Sequence, residues 1–149
     1  MSETSPYDDL IMDHIKNARN YHVPSDTNQV ASGTNPLCGD ELTVHLTIAD
    51  DCIRQIGFQC TCCGISMASA SIMSELISGK DIAGAKGLLQ PFTAALLDRS
   101  AAPPPDATRE QRAILDTVHK YPARARCAAL AWATLAGALD KRSATVLSP

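Results

Sequence analysis

Leu42-Thr43-Val44-His45-Leu46-Thr47-Ile48, then Asp50-Asp51, then the run from Ile53 to Cys60, is the stretch whose reading decides the fold. Leu42, Val44, Leu46 and Ile48 alternate with Thr43, His45 and Thr47, the period of a strand with one buried face. Asp50-Asp51 marks a turn, and Ile56 and Phe58 carry the alternation onto a second strand. The pair predicts an antiparallel hairpin. Upstream, residues 20–35 are rich in Asn, Ser, Thr, Pro and Gly and read as an extended, mobile loop, whose end before Cys38 supplies a third strand.

Outward from the hairpin the period changes from two to between three and four. Ile65, Ala68, Ser69, Ile72, Leu76 and Ile77 predict a helix after Gly64 that Gly79 stops. Asp81 caps a short helix through Leu89, closed by Pro91; Phe92, Leu96 and Leu97 begin another short one. The prolines within residues 101–106 are a break. Thr108 with Gln111 forms a capping box for a helix to about Val118. Pro122 opens the last helix, which carries Leu130, Trp132, Leu135 and Leu139. At the other end, Ser5-Pro6 followed by Asp8 and Asp9 starts a helix that runs to Lys16-Asn17.

The 149 residues predict one domain over 1–149, with residues 141–149 as a flexible tail. One Trp, three Tyr and two Phe leave the core to Leu, Ile, Ala, Met and Cys. A formal net charge of −3 without a basic block argues against nucleic acid as a partner. With no charged-then-apolar leader, and no apolar run near the ~20 residues that span a bilayer, the expectation is a soluble cytoplasmic protein away from membranes.

Six cysteines in such a setting point to metal or reactive sulfur rather than a disulfide framework. Cys38-Gly39-Asp40, Cys63 and Cys127 offer three thiols and one carboxylate from three segments. That is the donor set of a closed tetrahedral zinc site or of one edge of an iron–sulfur cluster; buried structural thiols are the bland alternative. Gly39 permits a tight turn that brings Cys38 and Asp40 together. Cys63 stands where a strand hands over to a helix N-terminus, a place that favours a thiolate. Arg124 and Arg126 precede Cys127 and would temper a site of four anions. The serines Ser66, Ser69 and Ser71 form a small-residue face for close helix packing, and His14 and His45 read as packed or surface residues.

Asn35-Pro36-Leu37-Cys38-Gly39-Asp40, then Cys63-Gly64-Ile65-Ser66-Met67-Ala68-Ser69-Ala70-Ser71, then Pro122-Ala123-Arg124-Ala125-Arg126-Cys127 together resemble the U-type iron–sulfur assembly family of NifU N-terminal domains, IscU scaffolds and SufU proteins. The likeness runs from about Tyr7 to Leu139. Arg126, where the scaffold branch carries His, and the added stretch at residues 90–108 resemble the SufU branch. The resemblance implies an α+β fold, a small antiparallel sheet of about three strands covered on one face by helices. It implies a zinc-dependent sulfurtransferase of the SUF system, with zinc on Cys38, Asp40, Cys63 and Cys127. Cys38 would receive sulfur from a pyridoxal-phosphate cysteine desulfurase (SufS-like), with Arg124 in support, and pass it to a downstream assembly complex (SufBCD-like). The alternative within the family is a scaffold for a nascent [2Fe–2S] cluster.

One departure stands beside the second motif. Where the family has glycines, this chain reads Cys60-Thr61-Cys62-Cys63. Cys60 and Cys62 are then small residues in glycine-sized space, or an alternative ligand, or a relay that carries persulfide away from Cys38. Vicinal Cys62 and Cys63 are a further pair able to oxidise together.

Overall fold

The computed structural model describes residues 9–141 and 144–146. The helix start expected at Ser5-Pro6 lies outside them; the described part of that helix is α1, Asp9–Lys16. Three antiparallel strands follow, β1 Gln29–Asn35, β2 Asp40–Ala49 and β3 Cys52–Thr61, and then helices α2 Gly64–Ile77, α3 Ile82–Leu97, α4 Arg109–Lys120 and α5 Ala125–Leu139. The α+β class and the hairpin are as the alternation predicts: Leu42, Val44 and Leu46 are buried and pair across β2 and β3 with Cys60, Phe58 and Ile56. A register shift after Thr47 lets Ile53 and Ile56, three apart, both reach the buried face. The turn between these strands holds Asp50 and Asp51 at φ of 54° and 58°, the left-handed pair that a two-residue hairpin loop requires.

The segment at residues 20–35 ends in the third strand expected before Cys38, β1. β1 carries no apolar alternation because its buried face is Ala31, Gly33 and Asn35, small or polar side chains against which α5 packs closely. A Cβ on Gly33 would lie 1.8 Å from Thr134 Oγ1, so this contact requires glycine. The earlier half of the segment straps the free edge of β3. Phe58 N–H donates to Asn20 O at 3.0 Å, and the Tyr21 hydroxyl reaches the backbone N and O of Cys60 at 3.2 and 3.1 Å. Lower on the same edge, Ile53 N–H donates to Lys80 O at 2.8 Å and Gly79 N–H to Ile53 O at 2.9 Å. On the opposite side a short strand, β4 Ala144–Val146, runs parallel to β1, giving the order β3-β2-β1-β4.

All helices stack on one face. α5 lies on β1 and β2, α2 on β3, and α1, α3 and α4 pack outside these two. Because α2 and α5 sit between sheet and outer helices, they are buried nearly all round. Asp81 caps α3 as expected, accepting from Gly84 N–H at 2.7 Å, and the Thr108–Gln111 capping box opens α4. Pro91 does not divide α3, contrary to the expectation of two short helices. The stripe Ala85, Leu89, Phe92, Leu96 continues through it, and the Phe92 ring packs tilted against Trp132 with centroids 4.5 Å apart. Burial of that stripe offsets the ~3 kcal/mol an interior proline costs. Among the described residues no helix is long and apolar enough to cross a membrane.

Candidate metal centre

At one end of the sheet the β1–β2 turn, the start of α2 and the start of α5 meet. The turn is Pro36-Leu37-Cys38-Gly39, closed by Cys38 N–H and Gly39 N–H donating to Asn35 O at 3.3 and 2.9 Å. Leu37 N–H is received by the Asn35 side chain at 3.3 Å. Gly39 has φ 74° with open space around it, so backbone conformation alone selects glycine there. This turn leaves Cys38 exposed and sends Asp40, the first residue of β2, inward to 5% exposure.

Cys127, buried in the first turn of α5, faces the turn: its Sγ lies 3.7 Å from Cys38 Sγ. One ligand atom each from Cys38, Asp40 and Cys127 lie within 4.8 Å of one another. Thiolates held at ~2.3 Å by a tetrahedral ion stand about 3.8 Å apart, so the spacing of the two sulfurs suits such an ion. Two thiols and a carboxylate are also the donor chemistry zinc takes.

Cys63, the fourth expected ligand, falls outside that three-atom cluster and borders it. It is the N-cap of α2, and its amide donates to Asp40 Oδ1 at 3.3 Å. Hydrogen bonding with the Cys127 thiol, against burial and helped by Ser66, holds the Cys63 thiol down at about 6. The Cys127 thiol is pushed far up, by the same contact with Cys63 first and then by burial. Arg124 is exposed on the 3-10 turn Pro122–Arg124 that leads into α5, and Arg126 is half-buried on the first turn of α5.

Sequence reasoning missed Ser66. Its hydroxyl is fully buried, 2.8 Å from Asp40 Oδ2, 2.9 Å from Cys127 O and 3.4 Å from Cys63 Sγ, so one side chain links all three segments. The available signal was its position three residues after Cys63, which returns it to the same end of the helix. Cys60 and Cys62 are joined by a disulfide, whereas Cys63 is free. The vicinal 62–63 pairing is thus not the one formed.

A model of the NifU-like N terminal domain matches residues 6–128. The zinc-dependent sulfurtransferase SufU of Bacillus subtilis is 36% identical over 129 residues, covering 87% of this chain and 86% of the relative. The iron–sulfur cluster assembly scaffold protein IscU of Thermotoga maritima is 31% identical over 137 residues, 92% of this chain and 94% of the relative. Among solved structures, one from Fervidobacterium islandicum AW-1, named as an iron–sulfur cluster assembly scaffold protein for the SUF system, superposes with a TM-score of 0.82 at 29% identity. That match covers 93% of this chain and 99% of the other. The chain belongs to the NifU-like N-terminal domain family.

Proposed function

We propose that this member of the NifU-like N-terminal family is a zinc-dependent sulfur acceptor of iron–sulfur cluster assembly, with Cys38 as the residue that takes sulfur. The observation that carries the reading is the Cys38–Cys127–Asp40 cluster itself: sulfurs 3.7 Å apart, with Cys38 the exposed member. Similarity across most of the chain to a protein named a zinc-dependent sulfurtransferase supports it. Cys38, Asp40, Cys127 and, bordering them, Cys63 would hold the metal. Zinc, when bound, is redox-inert and keeps thiolates deprotonated at neutral pH without oxidising them or a sulfane sulfur.

The chain's own residues divide the work by exposure. Asp40 is fixed by Ser66 and the Cys63 amide, and Cys127 is buried in α5, so neither can leave to meet a donor. Cys38 sits at a turn open to solvent. Its thiolate attacks the terminal sulfur of a persulfide on a cysteine desulfurase, forming a Cys38 persulfide and releasing the donor's thiolate. The loaded turn then offers that sulfur to the cluster-building machinery. Arg124, exposed just before Cys127, is positioned to attract an anionic partner group to this end.

The scaffold reading, a [2Fe–2S] cluster on the same donors, is favoured by the IscU relative. Metal content and desulfurase stimulation, measured for wild type and for Cys38→Ser with its fold checked by circular dichroism, separate the two. Stoichiometric zinc, with stimulation lost in the variant by roughly 100-fold or more, is the expected result. Iron with visible charge-transfer absorption identifies a scaffold instead. Zinc with no stimulation in either protein reduces the site to a structural one.

A further inference from the structure

We propose that Cys60 and Cys62 are a dithiol that reduces the sulfane sulfur carried on Cys38 and releases it as sulfide, becoming the Cys60–Cys62 disulfide in the process. This rests on the sulfur-acceptor reading of Cys38 and adds what becomes of the sulfur afterwards.

The structure places the pair at the site. β3 ends at Thr61, and side chains two apart on an extended chain share a face, so Cys60 and Cys62 converge while Thr61 points away, exposed. Their Cα atoms are 5.5 Å apart and their sulfurs are bonded. The β2–β3 register pairs Leu42 with Cys60 and Glu41 with Thr61, and Cys62 follows directly where that pairing ends, at the end of β2 that begins with Asp40. Cys62 also immediately precedes Cys63, whose amide bonds Asp40. Both cysteines are half-buried, so neither is closed off from solvent or from an external reductant. As a structural staple the bond would contribute little, because a sequence separation of 2 closes almost no loop in the unfolded chain.

The chemistry explains why a dithiol belongs here. The terminal sulfur of a persulfide is at oxidation level zero, whereas the sulfur of an iron–sulfur cluster is sulfide, so two electrons must come from somewhere. A persulfide lengthens Cys38 by one S–S bond, about 2 Å. The Cys62 thiolate attacks its terminal sulfur; the new bond is Cys62 Sγ to the transferred sulfur, and the bond broken is that sulfur to Cys38 Sγ, which leaves as thiolate. The Cys60 thiolate then attacks Cys62 Sγ, forming the Cys60–Cys62 disulfide and expelling hydrosulfide. One persulfide and two thiols thus become one thiol, one disulfide and hydrogen sulfide. The two cysteines supply both electrons, and the sulfur of the persulfide receives them. A dithiol reductant of the thioredoxin class returns the disulfide to the dithiol for the next turnover.

The experiment is a single turnover without added reductant. The full chain is reduced, freed of reductant and mixed with a cysteine desulfurase and a limiting amount of L-cysteine, then quenched with a thiol-trapping bimane. Mass spectrometry reads free sulfide, persulfide on the Cys38 peptide and disulfide on the Cys60–Cys62 peptide together. Wild type is expected to release sulfide in step with disulfide formation. Cys62→Ser keeps the persulfide on Cys38, Cys60→Ser strands it on Cys62, and sulfide falls about tenfold or more in each. Wild type oxidised beforehand to the disulfide, which needs no mutation and keeps its fold, behaves like Cys62→Ser. Equal sulfide release from all four proteins overturns the inference, as does a wild-type persulfide that stays on Cys38; in either case a labelled Cys38 leaves the acceptor reading standing. If Cys38 acquires no sulfur in any of them, Cys62→Ser included, the acceptor reading fails and this one falls with it.

Discussion

The two ends of α2 are built from the same residue and arrive at different outcomes. Near its N-terminus Ser66 faces a carboxylate, a backbone carbonyl and a thiol. Farther along, Ser71 Oγ lies 2.7 Å from His14 Nδ1 and accepts from Arg19 N–H at 2.9 Å, while Ser74 accepts from the Asn20 side chain at 2.9 Å. Both ends satisfy buried polar groups, as a buried hydroxyl must. The far end is closed: a neutral imidazole and two loop residues are locked to the helix, and Glu75 and Arg19 finish the cluster at the surface, 3.9 Å apart. At the near end three thiols stay free beside the carboxylate, and sulfur is a weak hydrogen-bond partner. A region whose donors remain in want of something stronger than a hydrogen bond is a site; one whose donors are all matched is scaffold.

That contrast is open to breakage at four points. The largest effect is expected from Asp40→Ala, which removes a buried carboxylate, strands the Cys63 amide and leaves the Ser66 hydroxyl only Cys127 O to donate to. Unfolding in urea should show a loss of about 2–4 kcal/mol, with metal content falling in the same preparation. Ser66→Ala comes next, at about 1–2 kcal/mol, with metal retention against a chelator weakened about 10–100-fold because Asp40 loses its orienting partner. Ser71→Ala should cost a similar amount, about 1–2 kcal/mol, yet leave chelator resistance unchanged. If the two serine variants lose metal equally, the distinction between the ends of α2 is gone.

The smallest effect is a pH dependence at the closed end. Burial first, and Arg19 second, lower the His14 pKa below its usual 6.5, against the opposing pull of Glu75. The unfolded chain therefore takes up a proton before the folded one does. Stability from this group is complete above pH 6.5 and declines as pH falls below it. Urea midpoints across that range should fall toward acid in wild type and flatten in His14→Gln. A midpoint that rises toward acid would mean the Glu75 contact outweighs burial.

How much of this was legible in the sequence varies by element, and for physical reasons. The β2–β3 hairpin could be read because one of its faces is apolar and the other wet. β1 shows only as the end of a loop-like segment, without bounds or a buried face, since Ala31, Gly33 and Asn35 owe their burial to the close approach of α5 rather than to hydrophobicity. Pro91 misled because a local rule was overridden by a tertiary contact, Phe92 on Trp132. In the site, thiols and a carboxylate announce themselves by type, and the structure brings Cys38, Asp40 and Cys127 into one cluster with Cys63 on its border. Ser66 carries no such mark: a serine on a buried helix face looks the same whether it packs or holds a carboxylate. Contiguous cysteines likewise hide their pairing until strand alternation puts 60 and 62 on one side.

The straps along β3 bear on how other proteins can meet this one. A sheet edge with free amides invites a visiting strand, a common way for one chain to recognise another. Here residues 20–21 and 79–82 occupy one edge, and on the other side the outermost strand, β4, is only 3 residues long. Recognition by added strands has little to grip on either flank. Among the described residues, the exposed apolar side chain at the end of the sheet is Leu37, and it stands on the same turn as the exposed Cys38.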